Sequence, residues 1–114
     1  MHHTLVALVE NKPGVLNRVA SLFRRRNFNI ESLTVGRTAE PGISRMTIVI
    51  DSDQASAERV TAYLYKLVNV LRVTDLTAAA AVVRELTLIR VSAHHDTRAQ
   101  VMQLVDTFRA RVVD

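Results

Sequence analysis

The 114-residue sequence contains no cysteine. Disulfides and thiolate metal centres are therefore excluded, and the chain fits a reducing cytoplasmic setting, which is the expected localisation. Aromatic residues are scarce at 4%, with no tryptophan. No run approaches the roughly 18 consecutive apolar residues that a membrane-spanning helix needs. The start, Met1-His2-His3, lacks the basic-then-apolar layout of a signal peptide. There is no phosphate-binding P-loop, no G-x-G-x-x-G and no G-x-S-x-G. No nucleophile stands beside a base, so the chain is not expected to be an enzyme.

What is present is a 48% hydrophobic chain with a net charge of +4, most of the positive charge coming from arginine. The size predicts one domain, or one small domain with an appendage. Residues 4–10 are rich in β-formers and too short for a helix. Pro13 and Gly14 break that strand. Leu16, Val19, Ala20 and Phe23 then recur at i, i+3, i+4 and i+7, the stripe of an amphipathic helix. Asn27-Phe28-Asn29 should end it, because asparagine tolerates left-handed backbone. Two strands follow, IESLTVGRT and SRMTIVID, with Pro41-Gly42 marking the reversal of an antiparallel hairpin. Asp51, Ser52 and Asp53 offer caps for a second helix striped by Val60, Tyr63, Leu64 and Leu67. VLRVTDL reads as a fourth strand. The order is β-α-β-β-α-β, an α+β ferredoxin-like arrangement with two helices on one face of a four-stranded antiparallel sheet.

The pattern then begins again. RELTLIRVSA has the look of a strand, Asp96 can cap a third helix, and Val101, Leu104, Val105 and Phe108 form its stripe. FRARVVD echoes FRRRNFNI of the first unit. The expected division is 1–78 for the complete unit and 79–114 for an incomplete second ferredoxin-like domain. A piece of that size does not fold alone, so it is expected to pack on the first unit or on a partner. In the first strand Val6 and Leu8 oppose Leu5, Ala7 and Val9, so the second sheet face also carries apolar residues. Covering those two side chains is worth roughly 3–6 kcal/mol.

Several clusters invite a chemical role and do not sustain one. His94 and His95 precede Asp96 on a turn with no third ligand nearby in the sequence, and no metal site is expected. Asp51 and Asp53 read as caps rather than a catalytic pair. Arg24-Arg25-Arg26 suits the last turn of a helix, where cations complement the dipole. A basic βαββαβ unit is also the layout of an RNA-recognition domain, but that module stacks bases on aromatics of its central strands. Here TLVALVE and SRMTIVI have none; the aromatics are Phe23, Phe28, Tyr63, Tyr65 and Phe108.

The loop NKPG remains. It delivers the chain to the start of the first helix, where unpaired amides and the positive dipole end converge and suit a carboxylate. Gly14, lacking a Cβ, permits close approach. Asn11 carries both an acceptor and donors. A plain turn in which Pro13 pre-sets the helix start is the competing reading.

The wider sequence LVENKPGVLNRVASLFRRRNFNIESLTVGRT, SRMTIVI and KLVNVLRVTDL, followed by VVRELTLIRV, resembles the ACT domain. Within that group it is most similar to the small regulatory subunit of acetohydroxyacid (acetolactate) synthase. The resemblance implies a subunit without a catalytic site. It implies binding to a large catalytic subunit that carries thiamine diphosphate, Mg and FAD, activation of that subunit, and feedback inhibition by valine or a related branched-chain amino acid. It also implies a homodimer of ACT domains with effector sites at the seam. Matching positions are Asn11, Lys12, Pro13, Gly14, Val15 and Leu16 in one protomer, and Asn29 and Ile30 from its neighbour. Alternatives are an activating scaffold without effector response and an ACT-type nucleic-acid binder using Arg24–Arg26. Members of the family usually continue into a complete second domain.

Overall fold

The computed structural model describes residues 1–114 as two compact units, Met1–Val82 and Val83–Asp114. The first unit contains β1 (His2–Glu10), α1 (Val15–Arg25), β2 (Ile30–Arg37), β3 (Ile43–Asp51), α2 (Gln54–Leu64) and β4 (Val70–Asp75). The strands form one antiparallel sheet in the order β2-β3-β1-β4. Period-two alternation along β1 and β3 buries Leu5, Ala7, Val9, Met46, Ile48 and Ile50. These side chains form one core with Val15, Val19, Leu22 and Phe23 of α1 and Ala57, Val60 and Leu64 of α2. On the other face Thr4, Val6 and Leu8 are half-buried. The βαββαβ reading and its helix-covered face are thus observed.

The stripe of α1 is set differently from the one expected. Leu16 and Ala20 are exposed, while Val15 and Leu22 join Val19 and Phe23 in the core. The helix runs from Val15, directly after Gly14, and Val15, Val19, Leu22 and Phe23 form an overlapping stripe at i, i+4, i+7 and i+8 that packing with the sheet and α2 selects. The end is as expected: Asn27 takes a left-handed φ of 59°, and Arg24 and Arg25 occupy the last turn. Of the three caps proposed for α2, Asp53 alone is its N-cap, accepting the Ser56 amide at 2.7 Å. Asp51 instead ends β3 and accepts the Met1 ammonium at 3.0 Å.

The two sheet edges are treated unequally. On β4, the Tyr65 hydroxyl accepts the Val73 amide at 2.9 Å and donates to the Val73 carbonyl at 3.2 Å. Both polar groups of that edge residue are thereby satisfied within the chain. On β2, every residue after Ile30 is exposed. Leu33 and Val35 pair with Ile48 and Met46, which places them on the helix-side face, yet they remain 37% and 43% exposed.

In the second unit, α3 (Arg98–Thr107) forms where a third helix was expected. The strand expected from RELTLIRVSA does not form, and residues 80–94 carry no regular structure. Leu86, Leu88 and Ile89 are largely exposed. A lone segment cannot pair its own backbone groups, so alternation without a neighbouring strand does not make one. Asp96 is not the cap of α3 either. Thr97 holds that position, and its hydroxyl accepts the His94 amide at 2.9 Å rather than a helix amide.

Candidate functional site: the β1–α1 loop and the β2–β3 turn

The end of β1 passes into the helix through a loop held from behind. The Glu10 amide donates to the Asn69 carbonyl at 2.9 Å, and Arg18 of α1 donates to the Asn69 side-chain oxygen. Asn69 is buried, so strand end, helix and α2–β4 loop share one anchor. Lys12 lies 2.6 Å from Glu10. Hydrogen bonding from Lys12 is the main cause holding the Glu10 carboxyl below its ordinary value, against the opposing effect of desolvation. The Asn11 amide donates to the Gly42 carbonyl at 2.8 Å, pinning the loop to the β2–β3 turn.

Gly14 is the N-cap of α1, with φ 84°, and no side chain caps the helix. The Val15 amide makes a long bond to the Lys12 carbonyl at 3.3 Å, while the amides of Leu16 and Asn17 find no acceptor. A Cβ added at Gly14 would meet nothing within 4 Å. The helix start is therefore an open pair of donors at the positive end of a dipole, which suits a small carboxylate.

Where the loop meets the β2–β3 turn lies a hollow of about 270 Å³ lined by Asn11, Arg37, Thr38, Glu40, Gly42 and Ile43, among others. Arg37 pairs with Ser44, which is buried on the helix-covered face. Arg37 consequently belongs to the same row of β2 as Leu33 and Val35. Sequence reasoning missed these three residues. Their signal was the alternation of β2, legible only once the covered face of the sheet is known.

Of the sequence-derived positions, Asn11, Lys12, Pro13, Gly14 and Leu16 are exposed together at this loop. Val15 is 4% exposed and belongs to the core. Asn29 and Ile30 lie elsewhere. Ile30 pairs with Ile50, which in turn pairs with His3, at the opposite end of β1 from the loop. From His3 to Glu10 is about 23 Å at 3.3 Å per residue. Within one protomer the two groups are not brought together. Asn29 donates to Glu31 at 3.1 Å, and Ile30 packs against the core.

The sequence matches the family model of the AHAS small subunit-like ACT domain over residues 5–72, and that of the small subunit of acetolactate synthase over 84–114. The chain belongs to the acetolactate synthase small-subunit family. It is 54% identical over 114 residues to a probable acetolactate synthase small subunit of Archaeoglobus fulgidus, covering 100% of this chain and 71% of that one. It is 53% identical over 112 residues to the acetolactate synthase small subunit of Mycobacterium avium, covering 98% and 67% respectively. The crystal structure of the Thermotoga maritima acetolactate synthase small subunit superposes with a TM-score of 0.84 at 35% identity, covering 100% of this chain and 71% of that one.

In agreement with the hydropathy of the sequence, no helix is long and apolar enough to cross a membrane. In the arginine run, Arg24, Arg25 and Arg26 are all exposed, and Arg26 lies 4.2 Å from the ring centroid of Tyr63.

Proposed function

We propose that this acetolactate synthase small-subunit family member is a non-catalytic regulatory subunit. It binds the large acetohydroxyacid synthase subunit, activates it and carries feedback inhibition by a branched-chain amino acid, valine foremost. Thiamine diphosphate, Mg and FAD belong to the large subunit in this reading. The observation that carries it is the uncapped start of α1. Two free amides and an unobstructed Gly14 offer donors to the carboxylate of a zwitterion, and Asn11, three residues before Gly14, lines the hollow at the β2–β3 turn.

The placement of Asn29 supports a homodimer across β2. Two β2 strands paired antiparallel about a two-fold axis exchange ends. The partner's Asn29 and Ile30 then arrive beside the loop of the first protomer, and two equivalent sites result. Leu16, Leu33 and Val35, exposed in one chain, supply the apolar wall for an aliphatic side chain. Val15 contributes through the core rather than by contact.

An affinity of ~10 μM to ~1 mM corresponds to about 4–7 kcal/mol, within reach of carboxylate and ammonium contacts. One methylene changes binding by only about 1–3 kcal/mol, so valine, leucine and isoleucine are distinguished modestly. Inhibition follows if the effector favours one arrangement of the complex over another. The test is co-purification with a large subunit, then synthase activity with and without valine. Activation abolished by valine supports the reading. Activation indifferent to every branched-chain amino acid leaves an activating scaffold. No association with a large subunit overturns the whole proposal.

A further inference from the structure

We propose that His2, Glu31 and Asp51 form a site for a divalent transition metal on the sheet face away from the helices. His2 and Asp51 are direct partners in the β1–β3 register. Their neighbours His3 and Ile50 are buried on the helix side, so both point to the other face. Glu31 reaches them through a break in the β2–β3 ladder. Ile30 pairs with Ile50 and Ser32 with Val49, leaving Glu31 as the extra residue of a bulge. Alternation counted from Ile30 puts Glu31 on the face away from the helices, and the bulge then lets Ser32 share that face.

One candidate ligand atom from each of the three residues lies within 4.8 Å of the other two. Ligands bound to one ion at about 2.0–2.2 Å stand at most about 4.4 Å apart. Small rotations of exposed side chains therefore suffice for closure. One imidazole nitrogen with two carboxylates suits zinc, manganese or iron better than magnesium or calcium, which favour all-oxygen shells. Exposure of all three residues leaves water to complete the shell. The Asn29 amide, 3.1 Å from Glu31 Oε1, orients that carboxylate in the manner of an outer-sphere partner. The Met1 ammonium, 3.0 Å from Asp51 Oδ1, is the present counter-charge, and a divalent ion would displace it.

Zinc titration by calorimetry tests this on the untagged 114-residue chain, in a His94→Ala/His95→Ala background that removes two other imidazoles. One saturable zinc site per chain is expected, with no binding of magnesium at the same concentration. His2→Ala and Asp51→Asn should each abolish it. Asn29→Ala should weaken it about 10-fold or more. Glu31→Gln keeps an acceptor for Asn29 but loses the charge, and it too should abolish binding. Circular dichroism melts without zinc confirm that each variant folds as the parent does. Zinc binding that survives Glu31→Gln would be a chelate of the terminus and His2 alone, and would overturn the site. Absence of zinc binding by the parent would overturn it as well.

Discussion

Replacing Gly14 with aspartate separates the effector site from the fold. Gly14 sits at φ 84°, and a Cβ built onto it would have no heavy atom within 4 Å, so the new side chain meets no steric wall. The left-handed backbone costs an L-residue about 1–2 kcal/mol, less for aspartate and asparagine. A carboxylate at an uncapped helix start returns about 0.3–1 kcal/mol through the dipole. The net loss is about 1 kcal/mol or less, which lowers Tm by at most roughly 4–8 °C for a domain of this size. At the ligand the balance is different. Two carboxylates 4 Å apart repel by about 1 kcal/mol in bulk water and about 4 kcal/mol near a protein surface. The upper figure rivals the whole binding energy of a ligand held at about 1 mM, which is about 4 kcal/mol. Calorimetry should therefore show no valine binding by Gly14→Asp, with circular dichroism reporting a folded protein. Gly14→Asn, of the same shape without the charge, should retain weakened binding. Unchanged valine affinity in Gly14→Asp would show that no carboxylate sits at this helix start.

Three further outcomes test the fold that holds the loop. Leu64→Ala, at a fully buried position of α2, should cost about 2–5 kcal/mol, read as a lower urea midpoint. Tyr65→Phe removes both hydrogen bonds to Val73 and should cost about 0.5–1.5 kcal/mol per bond, with faster exchange of the Val73 amide. The Asp53 carboxyl is held below its ordinary value chiefly by the Ser56 amide. Its contribution is present above the unfolded-state pKa and is lost as pH falls through the lower folded-state value. Asp53→Ala should thus lower Tm near neutral pH, and the gap from the parent should close on acidification below about pH 4.

The βαββαβ order was legible because each element has strong local punctuation. Pro13-Gly14 and Pro41-Gly42 stand at two reversals, Asp53 caps α2 and Asn27 closes α1. The phase of α1 was not, because Val15-Val19-Leu22-Phe23 and Leu16-Val19-Ala20-Phe23 both have helical spacing, and only packing against the sheet and α2 selects between them. RELTLIRVSA has the alternation of a strand without the partner that turns alternation into structure. The loop residues of the candidate site could be read from their backbone chemistry, since an uncapped helix start is a local property. Arg37 could not, because its place beside Asn11 depends on the register between β2 and β3 and on which face α1 covers.

The unequal edges bear on which strand pairs in the proposed dimer. An edge strand with open backbone groups recruits another strand unless something blunts it. Tyr65 blunts β4 at Val73 from within the chain. β2 carries no such plug, and it adds apolar Leu33 and Val35 on the helix side, where a second copy would extend the core across the seam. Pairing through β2 also reverses the sheet ends, which is the arrangement that unites Asn29 with the Asn11 loop. Val35→Lys places a charge in that seam while leaving the core of the monomer untouched, because Val35 is already 43% exposed. Light scattering should then report a monomer where the parent is a dimer, and valine binding should fall both with the dimer and through the lost Val35 side chain of the proposed apolar wall. A Val35→Lys protein that remains dimeric and binds valine with parental affinity would place the seam on another surface and deprive Asn29 of its route to the effector.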